Sequence, residues 1–446
     1  MNIKEALDYV HGLRWMSKKL GLTKTIELLD RLGNPEKKLK FVHIGGTNGK
    51  GSTSAMLGGI LRKAGYKVGL FTSPFIMRFN ERIMISTEED YREDSLFGFR
   101  EIPDEDLAEL VTRVKSAIDG MDEPPSEFEV VTVIGLLYFY EQKCDIVVLE
   151  VGMGGEFDAT NVIPAPLATV LVNIGLDHMQ YLGNTVAEIA RTKSGIIKKG
   201  SDVVFYGESE EAEREIAKRC EETGSKLVIP DFDRILVSRA DLGGQHFNYG
   251  GYDIDMSMIG AYQRKNAAVV IETVGLLKAA GLEIGEDAVI SGIRNTKWIA
   301  RLEKLGEDPL VFVDGSHNPQ GMRATIDTIK SCVKVKIPGS PRIICVFGVM
   351  ADKDVEGILE IMAEAASEII CVQPLYPRAM KYEDLTRKAK EICGEKVESI
   401  LPGGNVPEGI KMGLDHAGKK DIVLCLGSLY MASEVRNFFA EPKEHN

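Results

Sequence analysis

The run Phe41-Val42-His43-Ile44-Gly45-Gly46-Thr47-Asn48-Gly49-Lys50-Gly51-Ser52-Thr53 reads as an apolar strand that breaks into a glycine-rich turn and restarts as a helix. A turn of this kind commits the chain to layered strands and helices. Its free backbone N–H groups, the positive end of the helix macrodipole and the Lys50 ammonium converge on one small volume suited to the β- and γ-phosphates of a nucleotide. The spacing departs from G-x-x-x-x-G-K-[ST], because Gly51 follows Lys50 where a hydroxyl for Mg²⁺ is usual. That hydroxyl is expected from Ser52 or from elsewhere.

At 446 residues the chain exceeds what one core usually supports, so two domains are expected. After the turn, Lys67 to Phe71, Asp145 to Val151, Leu167 to Ile174 and Asp202 to Tyr206 are β-branched or apolar runs separated by helical patterns. This is the pattern of an α/β fold with a mostly parallel sheet, whose ligands belong at the strand C-termini. The first forty residues read as amphipathic helix with a break at Leu20-Gly21-Leu22. Between Asp231 and Gly260 the pattern shortens to glycine- and tyrosine-rich segments, read as antiparallel strands added to the sheet, and a helix is expected from about Gln263 to Ala280. A second alternation, with strands at Leu310 to Val313, Arg342 to Phe347, Glu368 to Gln373, Lys396 to Ile400 and Asp421 to Leu426, predicts a smaller Rossmann-like domain. The expected division is 1–296 and 297–446.

The net charge, 54 − 67 = −13, argues against a nucleic-acid partner. The N-terminus lacks the apolar core of a signal peptide and no apolar run approaches a membrane span, so a cytoplasmic enzyme or regulator is expected. The seven cysteines are scattered without C-x-x-C pairs and read as reduced core thiols.

Glu150 ends an apolar strand, where an acid meets the metal beside a phosphate turn; the alternative is a solvated strand end. Ser73, just past the strand ending at Thr72, is a candidate for the hydroxyl that Gly51 does not supply. His178 follows a third strand, between a metal-site reading and a structural one. Lys193 reads by composition as a helix-surface lysine. Asp314-Gly315-Ser316-His317-Asn318-Pro319 suits a polar ligand or a turn that caps the next helix. Arg301, at the expected domain junction, is a candidate for the γ-phosphate.

Taken together, Gly46-Thr47-Asn48-Gly49-Lys50-Gly51-Ser52, Thr72-Ser73-Pro74, Phe79-Asn80-Glu81-Arg82-Ile83, Glu150-Val151-Gly152-Met153-Gly154-Gly155, Asp158-Ala159-Thr160-Asn161, Gly175-Leu176-Asp177-His178 and the Asp314 segment resemble the folylpolyglutamate synthase and dihydrofolate synthase family of the Mur ligase superfamily. The resemblance implies a P-loop ATPase domain followed by a Rossmann-like glutamate-binding domain, with ATP and Mg²⁺ as cofactors. It implies that Gly49, Lys50, Gly51 and Ser52 hold the ATP phosphates, that Asn266, Arg301 and Asp314 contact the nucleotide, and that Ser73, Glu150 and His178 coordinate magnesium. Lys193 matches the family's carbamylated lysine and His317 a position near the incoming glutamate. Leu20, Gly21 and Leu22, then Ser126, Glu127, Phe128 and Glu129, then Asp158, Ala159 and Thr160 match the pterin site. Departures are Phe75, where histidine often follows Thr-Ser-Pro, Glu156, where many members carry a basic residue, and Tyr262, where histidine is frequent.

The implied reaction is ATP-dependent amide formation. A substrate carboxylate attacks the γ-phosphate to give an acyl phosphate, and the amine of L-glutamate displaces phosphate. A bifunctional ligase acting on dihydropteroate and reduced folates is expected, as a monomer. The alternatives are an enzyme confined to polyglutamylation, a muramyl ligase, disfavoured because only about forty residues precede the turn, and a non-catalytic ATP-binding switch.

Overall fold

The computed structural model describes residues 1–14, 21–86 and 98–440. The chain divides into two compact units, one of Met1–Val237, His246–Met256 and Gln263–Lys297, the other of Ser238–Gln245, Ser257–Tyr262 and Trp298–Asn446. The first holds an eight-stranded sheet of β1 (Phe41–Gly45), β2 (Val68–Phe71), β3 (Ile83–Ser86), β4 (Arg100–Glu101), β5 (Ile146–Glu150), β6 (Ala168–Leu171), β7 (Asp202–Phe205) and β8 (Leu227–Val228), in the order β4-β3-β2-β5-β1-β6-β7-β8. All neighbours are parallel except β3 and β4, which run antiparallel at one edge. Every residue of β1, β5 and β6 is buried, as expected of parallel strands covered on both faces. The register pairs Ile44 with Glu150 and Gly45 with Leu171, so the tips of β5, β1 and β6 end level where the phosphate turn leaves β1.

The helix after that turn, Lys50–Lys63, is buried from Gly51 through Arg62, so it carries no solvent stripe for a periodicity argument to find. It packs against the helix Glu286–Asn295 at unusually close range. A Cβ on Gly292 would stand 2.6 Å from the Ile60 backbone, and one on Gly59 2.9 Å from the Gly292 carbonyl. One core cluster, with Leu28, Phe71, Val111, Ile134, Phe139 and Leu149, joins this sheet to the helices Asp104–Ile118 and Glu127–Glu141 and to the N-terminal helices. Those N-terminal helices are Ile3–His11, opened by an Asn2/Glu5 capping box, and Thr23–Arg31; the Leu20 end of the expected break lies outside the described residues.

The segment after β8 corrects one expectation. β9 (Leu236–Asp241), β10 (Gly244–Tyr249) and β11 (Tyr252–Met256) form their own three-stranded sheet and are not added to the large one. Two-residue turns decide this. Gly250 and Gly251 both take positive φ, +60° and +88°, the requirement of a tight hairpin turn that pairs β10 with its sequence neighbour. The predicted helix follows as Ala261–Ala279.

The second unit has six strands where five were expected: β12 (Glu303–Glu307), β13 (Leu310–Asp314), β14 (Ile343–Phe347), β15 (Glu368–Gln373), β16 (Ser399–Asn405) and β17 (Ile422–Leu426), ordered β12-β13-β17-β14-β15-β16. The additional strand, β12, is polar and antiparallel at the sheet edge, so it lacks the apolar run that marks its neighbours. Its core cluster includes Phe312, Ile326, Cys345, Phe347, Ile358, Ile369 and Leu424. All seven cysteines are free, and six are buried.

The close helix crossing gives a stability prediction. Gly292→Ala, which in an exposed helix would gain about 1 kcal/mol, is expected to destabilise the protein by about 1–3 kcal/mol through overpacking against Ile60. An unchanged or raised urea midpoint for the full chain would show that the two helices have room.

Candidate active site

The turn between β1 and its helix is built on two glycines in the left-handed half of backbone space, Gly46 at φ +140° and Gly49 at φ +100°. Side chains at either position would collide, with Val172 Cγ2 at 2.3 Å from a Cβ on Gly46 and Asn266 Oδ1 at 2.8 Å from one on Gly49. The turn is fastened to the end of β6: Thr47 N and Asn48 N donate to the Asn173 carbonyl at 2.7 and 3.3 Å, and the Thr47 hydroxyl donates to Gly175 O at 3.1 Å. Gly49 is the N-cap of Lys50–Lys63 and supplies no side-chain cap, which leaves the first helical N–H groups for an anion. Ser52 is buried and its hydroxyl accepts from Gln263 Nε2 at 3.2 Å; Asn266 Nδ2 donates to Gln263 Oε1 at 3.1 Å. Asn266 thus stands directly against the turn, and Gln263 ties it to Ser52.

Lys50 Nζ donates to the Gly46 and Thr47 carbonyls at 3.2 and 3.3 Å. Lys193 Nζ donates to the same Gly46 carbonyl at 2.8 Å. Lys193 is only 4% exposed, which corrects its reading as a surface lysine; the helix Val186–Ser194 turns this side chain inward. Burial first, and then the neighbouring Lys50 charge, pull its amine down to about 7 against the opposing pull of Asp177 and Asp158. The Gly-rich segment after β5 permits this approach, since a Cβ on Gly155 would lie 2.7 Å from the Lys193 carbonyl.

Glu150, at the tip of β5, is 3% exposed, so it is not a solvated strand end. Ser73 lies two residues beyond β2, which pairs with β5 through Phe71 and Leu149. His178 sits past β6 at φ +50°, an uncommon conformation for a non-glycine residue, with its N–H donating to Asp177 Oδ1 at 2.9 Å. Among the described residues no group of three or more His, Cys, Asp and Glu side chains forms a metal cage. A magnesium ion characteristically takes one or two carboxylates and completes its shell with phosphate oxygens and water. A buried carboxylate and a hydroxyl at adjacent strand tips, beside a phosphate turn, fit that requirement.

The segment Asp158-Ala159-Thr160 opens a short 3-10 helix, with Asp158 as its cap. The Asp158 carboxylate accepts from Thr160 N, Thr160 Oγ1 and Met153 N at 3.0, 2.5 and 2.9 Å; burial raises its pKa and these bonds oppose the rise. Ser126 and Glu129 form a capping box on Glu127–Glu141, and Glu129 also accepts from Thr25 Oγ1 at 3.3 Å. These two matched positions are thus occupied with holding the helix start. Phe128 faces Phe71 edge-on at 6.1 Å and fills the space above Gly152, while Glu127 lies 3.5 Å from His11. Gly21 (φ +157°) and Leu22 precede Thr23–Arg31.

In the second unit, the Asp314 carboxylate accepts from Leu302 N (2.9 Å), Ser316 N (3.0 Å), Thr325 Oγ1 (2.9 Å) and the Ser316 hydroxyl. It organises its own turn, and Asn318 caps the next helix through Gly321 N at 2.7 Å, which is the capping reading of this segment. His317 Nδ1 lies 2.8 Å from Gly315 O, and Arg301 donates to Ala300 O at 3.1 Å between two residues of positive φ, Ala300 and Leu302.

Four groups near the site, the buried His43 and Gln263 and the half-buried Thr47 and Lys198, are not assigned by the sequence. His43 and Lys198 look like core and surface residues respectively, and nothing in spacing singles them out. Gln263 stands three residues before Asn266 on one helix face, a signal that was present. Thr47 lay within the turn itself.

Family models described as "Mur ligase middle domain" and "Mur ligase, glutamate ligase domain" match residues 107–274 and 300–429. The chain is 36% identical to the dihydrofolate synthase/folylpolyglutamate synthase of Bacillus subtilis, over 97% of this chain and 98% of that one. A Mycobacterium tuberculosis folylpolyglutamate synthase structure complexed with ADP superposes with a TM-score of 0.86 at 25% identity, covering 99% of this chain and 98% of that one. A folylpolyglutamate synthase structure with AMPPCP and folate gives a TM-score of 0.82 at 32% identity, covering 99% and 100%. On this similarity along nearly its whole length, the chain belongs to the folylpolyglutamate synthase and dihydrofolate synthase family of Mur-type ligases.

Proposed function

We infer that this chain is an ATP-dependent ligase that joins L-glutamate to the carboxylate of a folate or of dihydropteroate. The observation that carries this reading is the convergence of Lys50 and Lys193 on the Gly46 carbonyl at an uncapped helix N-terminus, with the buried Glu150 at the neighbouring strand tip. An ATP switch needs the first of these features, whereas a half-titrated buried lysine and a buried acid are what phosphoryl transfer adds.

In this reading residues 1–296 carry the ATP chemistry and residues 297–446 the glutamate site. Gly49, Lys50, Gly51 and Ser52 hold the phosphates, with Asn266 against the turn and Arg301 and Asp314 assigned to the nucleotide. Ser73, Glu150 and His178 would hold magnesium, which supplies charge neutralisation on the transferred phosphoryl group. The acceptor carboxylate attacks the γ-phosphorus, ADP leaves, and Lys50 offsets the negative charge that develops. The glutamate nitrogen then attacks the acyl carbon, phosphate leaves and the amine proton is released; His317 is assigned to the incoming glutamate. Leu22, Phe128 and Asp158 to Thr160 are assigned to the pterin end of the acceptor.

Lys193 is assigned as a carbamate. Its neutral amine adds to CO₂, forming a C–N bond and releasing one proton, which converts a buried cation into an oxygen donor. Only the neutral amine reacts, and with the amine held near 7 the carbamate is available above that pH and lost as pH falls through it. Seven free cysteines, six of them buried, support a cytoplasmic setting.

Three outcomes test this assignment. Lys50→Ala should abolish glutamate-dependent ADP release while leaving the folded circular-dichroism spectrum unchanged; substantial residual turnover would sink the phosphate-turn assignment. With ¹³C-bicarbonate, a carbamate resonance should be present at pH 8, lost at pH 6 and absent from Lys193→Ala, whose activity acetate should partly restore. A Lys193→Ala protein as active as the parent overturns that role. ADP release with L-glutamate is expected with both dihydropteroate and a reduced folate as acceptor, and release with folate alone would restrict the enzyme to polyglutamylation.

A further inference from the structure

His43 stands in the middle of the central strand β1, wholly buried, and its ring begins a short relay. Nε2 lies 2.9 Å from the Thr160 hydroxyl, which in turn lies 2.5 Å from Asp158 Oδ1. The directions follow from proton counting. A hydroxyl has one proton, and the carboxylate can only accept it. Thr160 therefore donates to Asp158 and accepts from His43, so the ring carries its proton on Nε2 and a lone pair on Nδ1.

The other side of the ring supports this. Nδ1 is buried and makes no hydrogen bond among the described residues. A protonated ring would bury a second N–H with nothing to receive it, and burial together with the Lys198 charge holds the imidazole down to about 3. The ring is neutral at every working pH, so the relay runs in one direction only. An aliphatic residue would fill this position with no nitrogen left over, and a buried polar group with one unmet atom is retained where its other bond matters. Lys198 braces the same turn from its far end, donating to Asn161 O at 2.8 Å and to Ile163 O. The turn bearing Asp158 is thus held by two donors, the buried His43 and the half-buried Lys198, neither of which belongs to it.

We propose that His43 is a positioning residue for acceptor binding: through the Thr160 hydroxyl it fixes the rotation of the Asp158 carboxylate that receives the pterin end of a folate or dihydropteroate. This rests on the assignment of Asp158 to the acceptor site. With the relay cut, the backbone bonds from Thr160 N and Met153 N remain, but the Thr160 hydroxyl is free to rotate away from Oδ1, and the carboxylate loses the bond that completes its orientation.

The test is steady-state kinetics on the full chain, with acceptor and ATP varied separately. His43→Leu should raise KM for the acceptor about tenfold, with kcat and KM for ATP within about twofold of the parent. His43→Gln, whose amide nitrogen reaches the Nε2 position, should recover most of the loss. Thr160→Val, which removes the middle hydroxyl of the relay, should raise the acceptor KM at least as much, and adding His43→Leu to it should cost little more. If His43→Leu does not fold, His43→Met, about as long as the imidazole and without a donor, carries the same test. Equal increases in KM for acceptor and ATP, a fall in kcat alone, or additive effects in the double variant would overturn the proposal. Asp158→Asn separates the two layers of the argument. If it raises the acceptor KM while His43→Leu does not, the relay is wrong and the acceptor site stands. If Asp158→Asn leaves the acceptor KM unchanged, the site assignment itself fails and takes the relay with it.

Discussion

The carbonyl oxygen of Gly46 accepts from two lysines at once, Lys193 at 2.8 Å and Lys50 at 3.2 Å, and much of the site's chemistry follows from that shared bond. Burial disfavours the charge on one of these ammonium groups first, and the repulsion of the other, drawn to the same acceptor, adds to it. Lys193 is the buried one, and its amine is lowered to about 7. The carbonyl points where it does because Gly46 takes φ +140° with Val172 packed against its Cα, a conformation that admits no side chain. The backbone of the turn thereby receives a lysine nearly 150 positions downstream.

Parallel register carries the same constraint outward. Because β5 and β6 flank β1 with their tips level, an acid that ends β5 and a loop that leaves β6 arrive beside the phosphate turn without long-range side-chain contacts to guide them. The loop after β6 returns the favour: its Asn173 carbonyl receives Thr47 N and Asn48 N and holds the turn open toward the helix N-terminus. Rigid strands place the groups, and glycines at their ends allow the backbones to come close enough to touch.

Those features that repeat along the chain were legible in the sequence. Apolar runs alternating with helices gave both sheets, and the glycine-lysine turn and the acid at the tip of β5 could be located because strand ends are where α/β folds keep their ligands. What escaped depends on contacts between distant segments. Lys193 has the composition of a surface helix position, and only the packing of Gly155 against its carbonyl shows why it points inward. His43 sits in an apolar strand where any buried residue would do, and its partner Thr160 is more than a hundred positions away. β12 was missed because an edge strand needs no apolar run, and the three-strand sheet was misplaced because hairpin turns, not strand composition, choose its partners.

A chain with a net charge of −13 must attract a polyphosphate against its own field, and burial tempers the charge of its inner bases accordingly. His43 is neutral, Lys193 is half neutral near pH 7, and burial lowers Lys198 to about 8, where it caps two carbonyls. These three act as hydrogen-bond donors that shape loops. The uncapped N–H groups of the Lys50 helix are fixed dipoles aimed at one volume beside that side chain, and a fixed dipole loses little when the surrounding protein is acidic. A carbamate on Lys193 would sharpen the division further. It would place a negative oxygen donor beside Glu150's end of the sheet, strengthening the hold on a cation without adding a positive charge that competes for the phosphates.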